Sequence, residues 1–290
     1  MAAAVMADIP VVPLRALRSL WIQITGSACN LACRHCFNAS GPGEPWLPAM
    51  AADEVRARIA EGAALGVREI YFTGGEPFLH PELLPLLDES LRVAATTVLT
   101  NGTLIDGDVA ERLAAMAAAS AYSLEIRVSI DGVTARANDA IRGHGSFEKA
   151  LRATTLLAAR GLVPIVTATT LAAGDDGHPL YDRLRALLRE HGVTRPRIKI
   201  LPVLGTGRGE GLRPSRRLTA RDLAGFDTSR LQCAETRAVT STGVYACPIL
   251  AGLPVARMGS DGLAGALGPV PLAHAACSTC WETGLTCGNG

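Results

Sequence analysis

The chain has 290 residues, 48% of them hydrophobic and 19% charged, enough to bury one full-sized core and a small appended lobe. A net charge of +1 with no Lys/Arg run excludes a broad basic face, so nucleic acid is not an expected partner. No apolar run reaches the roughly 18 residues of a membrane span, and residues 1–12 lack a basic leading region, so the chain reads as cytoplasmic with reduced thiols.

An apolar strand-like run at 20–24 comes first and leads into three cysteines spaced C-x3-C-x2-C: Cys29, Cys33 and Cys36. Helical periodicity comes next at 51–65, with Gly66 placed as a C-terminal cap. Strands are predicted at 67–72, 96–99, 123–129, 163–169 and 197–201. Helices are predicted between them at 81–91, 106–119, 146–160 and 178–191. Strict alternation implies a parallel sheet with right-handed crossovers. Six units are too few to close an eight-unit barrel, so the fold class is α/β, a partial (β/α)6 TIM-like barrel with a small C-terminal lobe. The barrel domain is expected over 1–204. Residues 205–290 form a linker, rich in Gly, Arg and Pro at 208–221, and the second unit.

Three close thiols in a chain with no sign of export read as metal ligands rather than disulfides. A [4Fe-4S] cluster is usually held by four cysteines, so a loop offering three leaves one iron open to another ligand. The blander alternative is a zinc knuckle or three packed thiols. In barrel folds the loops leaving the C-terminal strand ends build the site, and Thr73-Gly74-Gly75-Glu76-Pro77 comes after the second strand as the cysteines come after the first. Paired glycines let backbone approach a ligand, and a carboxylate nearby accepts from an ammonium.

The cysteine loop with Phe37 behind it, together with Gly74-Gly75-Glu76-Pro77, resembles the radical S-adenosylmethionine (SAM) superfamily. The resemblance implies SAM chelated to the open iron and cleaved to a 5'-deoxyadenosyl radical that abstracts a hydrogen atom. It implies SAM contacts from Phe37, Gly74, Gly75, Glu76 and Pro77. Thr100-Asn101-Gly102 and Ser129-Ile130-Asp131-Gly132 at the next two strand ends resemble segments facing the ribose and methionyl parts of SAM. Thr100, Asn101, Ser129 and Asp131 are therefore cofactor-site candidates. Arg142 matches an arginine that contacts the SAM carboxylate in relatives, a pairing suited to the guanidinium fork. A surface salt bridge is its plain alternative.

The other five cysteines, Cys233, Cys247, Cys277, Cys280 and Cys287, crowd the last quarter of the chain and point to a second metal site. They resemble the shortened auxiliary-cluster lobe called the twitch domain, a truncation of the SPASM domain, and imply one auxiliary [4Fe-4S] cluster, with zinc as the alternative. A full second cluster needs four of the five. A thiol near the terminus frays unless anchored, which favours Cys233, Cys277, Cys280 and Cys287 as ligands and Cys247 as the free thiol. The competing assignment makes Cys247 a ligand and Cys287 the spare.

A spare thiol is what a radical epimerase requires, since hydrogen returned on the opposite face inverts a carbon. The short chain and cysteine count resemble radical SAM enzymes of aminoglycoside biosynthesis. The leading expectation is epimerisation of an aminosugar carbon with Cys247 as hydrogen donor and a flavodoxin or ferredoxin as electron donor. Asp175, Asp176, Glu210 and Glu235 are the carboxylates available to bind a polycationic sugar. Alternatives are dehydrogenation of an aminocyclitol, maturation of a ribosomally made peptide, and a non-catalytic iron-sulfur electron carrier. The position of Cys29 leaves no room before it for a fused leader-binding domain, and Pro248 stands where sulfatase maturases carry an aspartate.

Overall fold

Strands buried on both faces organise the molecule. The structure, a computed structural model, describes residues 8–43, 45–171, 177–284 and 287–288. A two-residue strand, β1 (Val11–Val12), precedes β2 (Ser19–Gln23), and four more strands run parallel to β2: β3 (Glu69–Thr73), β4 (Ala95–Thr100), β5 (Leu124–Ser129) and β6 (Ile165–Thr170). The sixth of the parallel set is β7 (Arg197–Pro202). Alternate residues of each strand face opposite ways. Leu20, Ile22, Ile70, Phe72, Val98, Ile126 and Val128 pack in the main apolar core. Trp21 and Tyr71, one position out of step, belong to a second cluster and stack with centroids 4.1 Å apart and planes 5° apart.

The crossovers are α1 (Ala52–Ala64), α2 (Leu83–Ser90), α3 (Gly107–Ala119), a pair α4 (Ala135–Arg142) and α5 (Ser146–Ala159), and α6 (His178–Glu190). Gly66 has φ +78° beyond α1, the left-handed backbone expected of it. Asp106 caps α3 by accepting from the Val109 N–H at 2.9 Å. Periodicity does not announce α4. It is only eight residues long, half of them polar, and is capped by Thr134, whose hydroxyl accepts from the Ala137 N–H.

The strands after residue 205 continue the barrel's own sheet. β8 (Thr236–Thr240) pairs in parallel with the other edge of β2, Ser19 opposite Thr236. β9 (Gly243–Tyr245) and β10 (Arg257–Gly259) then add antiparallel neighbours. The nine-stranded order is β10-β9-β8-β2-β3-β4-β5-β6-β7. β11 (Val270–Pro271) pairs with β1, and α7 (Cys277–Thr283) carries the C-x2-C pair. Among the described residues no helix is long and apolar enough to cross a membrane.

Arg237 ties β8 to the stretch between β10 and β11. Fully buried, it donates to the carbonyls of Ala266, Thr236 and Gly268 at 2.6–2.7 Å and of Cys233 at 3.1 Å. Arg237→Met strands these acceptors and should lower unfolding free energy by about 3 kcal/mol, read as a shifted urea midpoint with unchanged slope.

Candidate functional site

The cysteine loop is folded by contacts with the next strand end. The Ser27 carbonyl accepts from the Gly41 N–H, and the Cys29 N–H reaches back to the Gly41 carbonyl, closing the loop. Gly75 lies flat against its start: a Cβ there would stand 2.0 Å from the Ala28 oxygen and 2.8 Å from the Cys29 Cβ. The Glu76 N–H donates to the same Ala28 oxygen at 3.0 Å. Only glycine allows that approach. The result brings Cys29, Cys33 and Cys36 onto one wall of a 190 Å³ cavity, with Phe37, Gly74, Gly75, Thr100, Asn101, Ser129 and Arg142 around it.

Glu76 and Pro77 are placed behind that lining. Pro77 is buried and opens the turn at Pro77–Leu79. The fully buried Glu76 carboxylate accepts from the Thr100 hydroxyl and the Asn101 N–H, both at 2.7 Å, and from the Phe78 N–H at 3.1 Å. Burial pushes its pKa up to about 7 against those donors. It ties the β3 and β4 loops together. Asn101 then donates to Asn30 Oδ1 at 2.8 Å inside the cysteine loop.

Asp131 also stands behind the cavity. His35 Nε2 lies 2.6 Å from its Oδ2, and the Thr169 N–H donates to Oδ1 at 2.7 Å. The Nε of Arg142 is 2.6 Å from Oδ2, a charge contact whose N–H is not aligned for a hydrogen bond. This is a buried ion pair rather than a surface one, and Arg142 Nη1 also reaches to 3.9 Å from Cys33 Sγ. Burial raises the Asp131 carboxyl, but the Arg142 charge and the His35 contact outweigh it and hold it at about 2. Burial pushes the Cys33 thiol up, and Arg142 opposes that. Two groups here carry no sequence signal of their own: His35, and Arg208, whose Nε donates to the Cys33 carbonyl at 2.8 Å and whose Nη2 reaches the Ser40 carbonyl.

The remaining thiols divide. Cys233, Cys247, Cys277 and Cys280 line a second cavity of 40 Å³, and Cys287 lines the first. Sequence reasoning favours Cys247 as the free thiol and Cys287 as a cluster ligand; here Cys247 lines the second cavity and Cys287 the first, with Cys287 also near enough to Cys247 and Cys280 for their charges to interact. Cys247 begins the buried turn at Pro248–Leu250, and that turn carries its thiol to the second cavity while Pro248 and Ile249 wall the first. Burial pushes Cys233, Cys277 and Cys287 up to about 12. Among the described residues no three His, Cys, Asp or Glu side chains converge on a point fit for one metal ion. The four thiols around this space are partly buried. At the first cavity, Trp21 Nε1 is a buried donor without a partner on the wall, as a site for a polar cofactor would have.

Of the carboxylates expected to bind a sugar, the two that are described, Glu210 and Glu235, are not in this cavity. Glu235 pairs with Arg18 at 3.3 Å and borders a separate 350 Å³ hollow at the strands' N-terminal ends. Glu210 is exposed, and Asp175 and Asp176 lie outside the described residues.

The radical SAM superfamily model matches residues 24–187, which contain the cysteine loop and the C-terminal ends of β3 to β6. The chain belongs to the radical SAM superfamily. Membership implies SAM and a SAM-binding [4Fe-4S] cluster. Mycofactocin maturase MftC of Mycobacterium ulcerans is 36% identical over 176 residues, 59% of this chain and 45% of that protein. An AdoMet-dependent heme synthase of Nitratidesulfovibrio vulgaris is 32% identical over 195 residues, 66% of this chain and 49% of that protein. The chain thus spans about half the length of these curated relatives. Streptococcus suis SuiB bound to S-adenosylmethionine shares the fold with a TM-score of 0.62 at 16% identity, covering 84% of this chain and 62% of SuiB. Native anSMEcpe with bound AdoMet gives 0.60 at 18%, covering 83% and 77%.

Asp131→Asn leaves the Arg142 guanidinium buried without its counter-charge and should lower unfolding free energy by about 3–5 kcal/mol, measured by urea titration of the metal-free protein at pH 7. The carboxylate's contribution is complete above its ordinary pKa of 3.8 and lost as pH falls through about 2, so at pH 7 the comparison sits on a plateau.

Proposed function

We propose that this radical SAM enzyme removes a hydrogen atom from a substrate C–H bond and returns one from the thiol of Cys287, inverting that carbon. The observation that carries the reading is the partition of the eight cysteines: Cys29, Cys33, Cys36 and Cys287 on the first cavity, and the other four on the second. SAM on a cluster held by Cys29, Cys33 and Cys36 supplies the radical that takes the hydrogen. Gly74 and Gly75 offer backbone at close range to it, Asn101 and Ser129 offer polar groups, and Arg142 stands beside Cys33 with its charge set by Asp131. A hydrogen-atom donor must keep its proton, and burial that pushes Cys287 up to about 12 keeps the S–H form at neutral pH. The sulfur radical left behind regains S–H from one electron and one proton, the electron coming from an external donor such as a flavodoxin or ferredoxin. Cys233, Cys247, Cys277 and Cys280 are the proposed ligands of an auxiliary [4Fe-4S] cluster, so Cys247 exchanges roles with Cys287 relative to the reading of the sequence.

The same cavity bears on substrate class. Its charged lining side chains are arginines, Arg127 and Arg142, and no carboxylate is among the described lining residues. A neutral or carboxylate-bearing substrate suits those walls, and a polycationic aminosugar does not. A peptide segment meets the requirement and is in keeping with the mycofactocin maturase matches. The aminosugar reading now rests on Asp175 and Asp176 alone.

In deuterated water with SAM and dithionite, the reconstituted enzyme should yield a product isobaric with its substrate except for one gained deuterium, found by mass spectrometry in a panel of short peptides and absent from a panel of aminoglycosides. Cys287→Ala should abolish the gain. Retention of the deuterium in that variant, or a wild-type product lighter by two hydrogens, defeats epimerisation by this thiol.

A further inference from the structure

Arg127 lies in β5 with its side chain turned into the barrel and only 1% exposed. No carboxylate among the described residues pairs with it. Its Nε approaches the Thr167 hydroxyl at 3.4 Å, and its Nη1 donates to the backbone carbonyl of Cys287. Two strands away, Lys199 of β7 directs its ammonium to the carbonyl of Gly288. The Cys287 N–H donates to Gln232 Oε1 at 2.7 Å. Gly288 is seated on the aromatic stack below: a Cβ there would stand 3.1 Å from the Tyr71 hydroxyl.

Two cations share the barrel interior, and among the described residues neither has an ion-pair partner, Glu125 and Glu69 acting on them only from longer range. Burial, then the Arg127 charge, bring Lys199 down to about 8, and burial lowers Arg127 as well. A buried guanidinium without a counter-ion is costly, and an apolar side chain of similar size would fill the space without that penalty. Both cations contact the same two-residue segment, and they contact only its main chain. Cys287 lines the cavity with its backbone fixed at three points, and its thiol is also near enough to Cys247 and Cys280 for their charges to interact.

We propose that Arg127 and Lys199 are positioning residues that hold the Cys287 thiol at the cavity by gripping the carbonyls of Cys287 and Gly288, with Gln232 as the third point. The proposal rests on the reading of Cys287 as hydrogen donor for its purpose, but the grip itself can be measured without any substrate. Grip and donor role are read separately in the anaerobically reconstituted enzyme carrying its clusters.

The first readout is alkylation of Cys287 by iodoacetamide, quantified by peptide mass spectrometry. Arg127→Met and Lys199→Met should each speed it roughly tenfold by letting the segment open, and Arg127→Lys should restore much of the protection. Each Met variant strands a carbonyl and should lower the thermal midpoint somewhat, so alkylation is read well below that midpoint, where a merely structural loss leaves Cys287 protected. The second readout is the deuterium content of 5'-deoxyadenosine formed from SAM and dithionite in deuterated water without substrate. There the radical takes a deuterium atom from S–D, a C–D bond forms, and dithionite reduces the sulfur radical left behind. Wild type should give labelled 5'-deoxyadenosine, Cys287→Ala unlabelled, and both Met variants a reduced share. Unchanged alkylation in both Met variants overturns the grip. Label persisting in Cys287→Ala overturns the donor reading instead, while the alkylation rates still decide the grip.

Discussion

The site depends on one steric constraint, the seating of Gly75 against Ala28 and Cys29. With 2.0 Å between a would-be Cβ and the Ala28 oxygen, any side chain at residue 75 would push the two loops apart. Those loops belong to neighbouring parallel strands, so the distance between them is the inter-strand spacing carried past the sheet's edge. Glu76 extends the arrangement by one strand through Thr100 and Asn101, and Asn101 returns to Asn30 in the cysteine loop. The first three strand ends are locked in a ring of contacts before any cofactor is considered.

Charge is sorted around this ring by depth. Acids sit behind the wall, where Asp131 meets Arg142 and His35 and Glu76 meets neutral donors. The cavity itself shows guanidinium groups and hydroxyls. A carboxylate in this position orients a cation or a loop without offering itself to the substrate, which is how the same acids that mark the family can leave the cavity net cationic.

The barrel was legible because its signals are local. Alternating apolar runs and helical spacing gave the order of β2 to β7, and Gly66, Gly74 and Gly75 mark turns that need no side chain. The helix α4 escaped because eight residues are little more than two turns, too short for a period to stand out. The strands β8 to β10 escaped because they are three to five residues long, and β8, which joins them to the barrel, pairs with β2 more than two hundred residues away. The positions of Cys247 and Cys287 were out of reach for a related reason. Spacing reveals which thiols are close in sequence, whereas the cavity each one faces is set by a turn at Pro248 and by Arg127, Lys199 and Gln232 from three separate elements. Fraying was the argument against Cys287 as a donor, and those three contacts answer it.

The pairing of β8 with β2 also governs how the molecule is assembled. Ser19 and Thr236, which share a hydrogen bond across the two strands, are 217 residues apart in the chain. During synthesis β2 can pair with β3 early, but its other edge has to wait for β8. Contacts of such long sequence separation slow folding, and an unpaired strand edge is a template for pairing with another chain. An open half-barrel emerging from the ribosome therefore carries an aggregation hazard along its first strand until the last quarter of the sequence arrives to cover it.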